Sequence, residues 1–250
     1  MKEWFIYNIF NKEKNLFAGT TTKDEAKEYK FSLALHTGEE KEKILENRAK
    51  FASFFPNEFR FVSLLQVHSS RVINLDSMKL TQKWTELELN ADGFVTSKAD
   101  IMLTILTADC IALLAYDKKS KIVGAAHAGW RGTKDNIAKN LITAMQELGA
   151  KAEDIIVAIS PSIRACCYEV DESVAKHFTN YSDSLVQTAK DKWHLDISIV
   201  NKEQLLELGI KEENIEISSI CTACNTKEYF SYRKECACSG RFISFIGRKS

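Results

Sequence analysis

The sequence predicts an α+β sandwich, with sheets packed inside and helices outside, folded as one domain over residues 1–250. Three observations predict it. Short apolar, β-branched runs cluster in the middle of the chain, helical patterns flank and follow them, and no Gly/Ser-rich linker divides the sequence. A chain of 250 residues is long enough to bury a substantial core.

The elements follow in order. Residues 39–48 are polar, but Ile44, Leu45, Phe51 and Phe54 or Phe55 recur at helical spacing, which predicts an amphipathic helix. Residues 59–67 are rich in β-branched and aromatic side chains and read as a strand. Residues 101–107, 111–116 and 122–126 are short apolar runs separated by turn signals, notably Asp117-Lys118-Lys119-Ser120. A helical pattern over 134–148 ends at Gly149, a plausible cap. Shorter helical patterns occupy 172–178 and 202–208, and strands return at 155–159, 215–218 and 242–246.

Lys plus Arg and Asp plus Glu each number 34, so the net charge is zero and leaves no electrostatic footprint for nucleic acid or an anionic membrane. No apolar run reaches the ~18 residues that a membrane helix needs. The first residues, Met1 to Asn8, lack the basic region and apolar core of a signal peptide, which predicts a cytosolic protein. In a reducing compartment the seven cysteines read as thiols, metal ligands or a nucleophile rather than a disulfide framework.

Reactive side chains stand where apolar runs end: His68 in Gln66-Val67-His68, Cys110 in Thr107-Ala108-Asp109-Cys110, and His127 in His127-Ala128-Gly129-Trp130-Arg131-Gly132. Two imidazoles and a thiolate suit zinc and leave a fourth position open. The spacing matches no short zinc motif, and taken alone a strand-end histidine is usually an inert hydrogen-bonded one and a cysteine in an apolar run usually a core thiol. Cys221-Thr222-Ala223-Cys224 and Cys236-Ala237-Cys238 suggest a second, closed four-sulfur site, against the plainer reading of loop thiols. Arg48, Arg131, Arg233 and Arg241 are candidates for phosphate or carboxylate recognition. Neither a P-loop nor a GxGxxG is present.

Together these segments resemble the laccase-domain proteins, once described as multicopper polyphenol oxidases and also as purine nucleoside phosphorylases and peptidoglycan editing factors. The resemblance rests on those three segments together with Asp92-Gly93-Phe94-Val95-Thr96, Ser160-Pro161-Ser162-Ile163, Cys167-Tyr168-Glu169-Val170, Cys221-Thr222, Phe230-Ser231-Tyr232-Arg233 and Gly240-Arg241, all in the family's order. It implies a single-domain α-β-β-α sandwich with mixed sheets and a zinc held by His68, Cys110 and His127. It implies phosphorolysis of adenosine, inosine or methylthioadenosine, with phosphate as co-substrate, and deamination of adenosine. Catalysis would then fall to Cys110, His127 and Arg48, and substrate binding to Arg48, Gln66, Arg131 and Arg233. Copper fits less well, because a multicopper site is rich in histidine and the chain has five. The N-terminal glycine-rich turn of the family is replaced here by Thr20-Thr21-Thr22-Lys23-Asp24.

Two other readings compete. Cys110 as nucleophile with His127 as base would make a metal-free hydrolase or amidase, including one that edits peptidoglycan precursors. A non-catalytic metal-binding protein would keep the three ligands and turn nothing over.

Overall fold

The computed structural model describes residues 4–236 and 240–250. The chain begins with β1 (Trp4–Phe5), β2 (Leu16–Thr21), α1 (Lys41–Ala52) and β3 (Arg60–Leu65). Next come β4 (Val72–Asn74), β5 (Trp84–Asn90), β6 (Gly93–Thr96), β7 (Ile101–Thr107), β8 (Ile111–Asp117) and β9 (Val123–Ala128). After α2 (Trp130–Lys134) and α3 (Ile137–Glu147) follow β10 (Ile155–Ile159), β11 (Glu169–Asp171) and α4 (Glu172–Ala175). The chain closes with β12 (Leu185–Ala189), β13 (Lys192–Leu195), α5 (Ile197–Glu207), β14 (Ile215–Ile217) and β15 (Phe242–Arg248).

Two six-stranded sheets carry the fold, ordered β1-β2-β15-β7-β3-β5 and β14-β10-β8-β9-β6-β4, with a small third sheet β11-β13-β12. Both large sheets are mixed: β3 runs parallel to β5 and β7 while β15 is antiparallel to β7, and β4 runs parallel to β6 while β8 and β9 are antiparallel.

The period of two along each strand sorts side chains into layers. In β7, Leu103 and Ile105 face the opposite sheet and meet Leu114 and Ala125, whereas Met102 and Leu106 face outward onto Phe51 and Phe55. In β8, Ala112 and Leu114 point inward while Ile111 and Leu113 pack with Leu141 and Ile142 of α3 and Val200 of α5. The result is four layers, helix–sheet–sheet–helix, with strands apolar on both faces because both are covered.

Helices differ from their sequence patterns in three places, the pattern over 172–178 shortening to Glu172–Ala175. The run 134–148 is broken by Asn136, whose left-handed backbone (φ 60°) separates α2 from α3, while Gly149 supplies the positive φ (105°) past the end of α3. Helix α5 starts earlier than 202, because the Asp196 side chain caps it by accepting from the Ser198 N–H. No helix among the described residues is long and apolar enough to cross a membrane.

Candidate active site and metal centre

At one end of the sandwich the two sheets open into a cavity of about 490 Å³. Its floor is built where strands of both sheets end. Gln66 and His68 follow β3, residues 108–110 carry the chain from β7 in one sheet to β8 in the other, and His127 stands near the end of β9. Two residues here hold left-handed backbone without being glycine, His68 (φ 61°) and Asp109 (φ 89°). Such conformations persist only where the surroundings hold them.

For His68 the holder is Asp92, fully buried at the start of β6. Its carboxylate accepts from the backbone N–H of Val67 (3.2 Å), His68 (3.0 Å) and Ser69 (2.6 Å) and from the Ser69 hydroxyl (2.8 Å). The same carboxylate lies 2.8 Å from Nδ1 of His127. That bond engages Nδ1, so Nε2 is the ring atom left to serve as a ligand, and a metal there would take the place of its proton. Asp109 plays the corresponding part for the far wall: its carboxylate accepts from Thr222 Oγ1 (2.6 Å), Ser231 Oγ (3.1 Å) and the Arg233 N–H (2.7 Å). It thereby anchors the segment that brings Tyr232 and Arg233 to the cavity.

The structure brings His68, Cys110 and His127 together, with one potential ligand atom of each within 4.8 Å of the others. Gly129 permits this packing: a Cβ there would stand 3.1 Å from Cys110 Sγ and 3.2 Å from His68 Cδ2. Burial opposes ionisation of Cys110, but the charge of His127 and hydrogen bonds from His127 and His68 overcome it and bring the thiol down to about 6. Burial likewise opposes a charge on His127, yet the Cys110 sulfur and Asp92 raise it to about 9. A soft thiolate, two imidazoles, a glycine cradle and an open cavity side fit a three-ligand metal centre. Among the described residues, histidine enters no other group of three potential ligands, so nothing described matches a several-copper array.

The remaining expected site residues fall in different places. Arg131 and Arg233 line the cavity, Arg131 over the Trp130 ring (4.4 Å) and Arg233 over Tyr168 (5.2 Å). Gln66 lines it too, but its amide is engaged with β7, donating to the Leu106 carbonyl (2.8 Å) and accepting from the Leu106 N–H (2.9 Å). Arg48 does not line it. Its buried guanidinium donates to the Leu33 carbonyl (2.8 Å), pairs with Glu86 (3.0 Å) and lies over Trp84 (4.8 Å). His36, outside every motif, does line the cavity; burial and the nearby Arg241 hold its imidazole below the ordinary value. Thr107 Oγ1 is buried without a hydrogen-bond partner among the described residues, in a residue of the cavity wall. His36 carries no sequence signal of its own, and Thr107 stands in the segment Thr107-Ala108-Asp109-Cys110 without having been singled out.

The expected second site is rearranged. Cys221 and Cys224 gather with Cys166 and Cys167, not with Cys236; Cys238 lies outside the described residues. A parallel bridge between Ser162 and Cys221 sets the turn at 165–167 beside the turn at 222–224, which gives Cys221 and Cys224 different neighbours from those expected.

The sequence model of the family described as multi-copper polyphenol oxidoreductase laccase matches residues 18–249. The chain belongs to this family. Among its relatives is the purine nucleoside phosphorylase YlmD of Bacillus subtilis, 32% identical over 262 residues, covering 100% of this chain and 94% of that protein. The adenosine deaminase RL5 of an unknown prokaryotic organism is 34% identical over 193 residues, 74% of this chain and 73% of that one. The crystal structure of YlmD from Geobacillus stearothermophilus superposes with a TM-score of 0.85 at 29% identity, over 98% of this chain and 94% of the other. The four-layer sandwich is therefore shared with that family member.

Proposed function

We propose that this chain is a zinc-dependent purine nucleoside phosphorylase acting on adenosine, inosine and methylthioadenosine, with adenosine deaminase activity at the same site. The observation that carries the reading is the convergence of His68, Cys110 and His127 at the floor of a cavity that also presents Arg131, Arg233 and Arg241. The names of the relatives, phosphorylase and deaminase, point to the same two reactions.

Trp130, Tyr168 and Tyr232 give the cavity aromatic walls against which a purine ring stacks, and the arginines supply forked donors for phosphate. In phosphorolysis a phosphate oxygen bonds to the ribose C1′ as the C1′–N9 bond breaks and the purine leaves with a proton. Arg131 and Arg233 hold the phosphate against C1′ and neutralise its charge, a task the sequence pattern assigned to Arg48, which is engaged elsewhere. In deamination, water adds at C6 and ammonia departs. Zinc, when held by His68, Cys110 and His127, supplies Lewis acidity that activates water at neutral pH. Asp92 keeps His127 in the ligating tautomer throughout.

The cysteine-hydrolase reading is favoured by one observation, the hydrogen-bonded Cys110–His127 pair with its lowered thiol. A single experiment separates the two: phosphate-dependent turnover of a nucleoside panel by metal-analysed protein, before and after chelation. Turnover that needs both phosphate and zinc supports the phosphorylase. A metal-stripped enzyme with full activity, abolished by alkylating Cys110, would replace it with the hydrolase.

A further inference from the structure

Beyond the cavity floor, the described residues contain a second cluster of potential metal ligands, Cys166, Cys167, Cys221 and Cys224. We propose that these four thiols form a closed, structural zinc site that fastens the wall of the active-site cavity.

The geometry argues for a tetrahedron. Zinc–thiolate bonds near 2.3 Å place ligand sulfurs about 3.8 Å apart along the edges. Here Cys166 Sγ lies 3.7 Å and Cys167 Sγ 3.3 Å from Cys224 Sγ, and all four sulfurs lie within 4.8 Å of one another. These separations lie around the required edge. Four sulfurs in one place leave no position for water or substrate, which distinguishes a structural site from a catalytic one.

Local structure supports the same reading. The thiols come from two short turns, 165–167 and 222–224, held side by side by the Ser162–Cys221 bridge and by the Thr222 N–H donating to the Ser162 carbonyl (3.0 Å). The Arg164 backbone N–H points at Cys221 Sγ (3.5 Å), the kind of donor that settles a thiolate's charge. The backbone bridge sets the two turns side by side, and the hydrogen bonds between the sulfurs themselves are weak ones.

The consequence reaches the reaction site. The turn at 222–224 supplies Thr222, which donates to Asp109; the Ile163 N–H, three residues before Cys166, donates to the Asp109 carbonyl (2.9 Å). Asp109 precedes Cys110. A zinc joining the two turns would hold Ile163, Tyr168 and the Asp109 anchor in place without touching substrate.

The test uses reduced, zinc-loaded full-length protein, and its outcome does not depend on nucleoside turnover. Two zinc ions per chain are expected in the wild type and one in His68→Ala. X-ray absorption at the zinc edge of His68→Ala should then report sulfur alone near 2.3 Å. Cys166→Ser with Cys224→Ser should lose that ion and keep the other; if this variant does not fold, the His68→Ala spectrum decides. Zinc-free His68→Ala, a first shell containing nitrogen or oxygen, or a Cys167–Cys224 disulfide in the native protein as purified would each overturn the proposal.

Discussion

The carboxylate of Asp92 joins the two histidines of the cluster: one oxygen lies 2.8 Å from His127 Nδ1 and 3.0 Å from the His68 backbone nitrogen. One buried side chain thus fixes a ring orientation on one sheet and a left-handed loop from the other. Asp92→Asn keeps the size but turns an acceptor into a part-donor facing N–H groups. Metal affinity should fall roughly 10–100-fold, as measured by competition with a chromophoric chelator. Unchanged affinity would mean that His127 is oriented by packing alone.

Gly129 offers a sharper steric test. Its backbone is extended (φ −81°), so alanine is conformationally permitted there. The added methyl would nonetheless press on Cys110 Sγ at 3.1 Å and His68 Cδ2 at 3.2 Å. Gly129→Ala should leave the Tm within a few degrees, roughly 1 kcal/mol, while weakening metal binding. Equal losses of stability and affinity would show that the glycine serves the fold rather than the cluster.

How much of this was legible beforehand depended on burial. Strands β7 and β10 run over Ile101–Thr107 and Ile155–Ile159, the bounds their apolar runs gave, because strands covered on both faces are continuous in hydrophobicity. The edge strand β5, with Glu86 and Glu88 facing outward, and the exposed β12 carry no such run and gave no signal. Spacing did not unite His68 with Cys110 and His127, since their meeting depends on how two sheets stack; only the combined segments pointed to it. The pairing of Cys221 and Cys224 was misjudged because one bridge at Ser162, invisible in sequence, selects their neighbours.

Acid stability should trace to Asp117. Burial opposes its charge, but backbone N–H groups of Lys151, Ser120 and Lys119 prevail and hold it below the usual carboxylate range. A pKa depressed in the folded state contributes stability that is present above the unfolded value and is lost as pH falls through the folded one. Unfolding free energy should therefore decline below about pH 4, and less steeply in Asp117→Asn, whose loss is already felt at pH 7. Denaturant titrations at several pH values check this; parallel curves for the two proteins would remove Asp117 from the acid transition.

Arg48 separates a substrate role from a structural one. Its hydrogen bond to the Leu33 carbonyl fastens the N-terminal segment, which carries His36 to the cavity, onto α1. Glu86 and the Trp84 ring complete its surroundings, leaving it outside the cavity wall. Arg48→Ala leaves a buried carbonyl unpaired at a cost of about 1–3 kcal/mol, or roughly 2–12 °C in Tm for a chain of this size. Arg48→Lys should not restore it, because an ammonium cannot donate in two directions while lying flat over an indole. Phosphate KM should change little in either variant, whereas Arg131→Ala or Arg233→Ala should raise it about 10-fold or more through loss of a charge-assisted bond. A large rise in phosphate KM for Arg48→Ala at unchanged Tm would return that arginine to the phosphate site and require the segment at His36 to move aside during turnover.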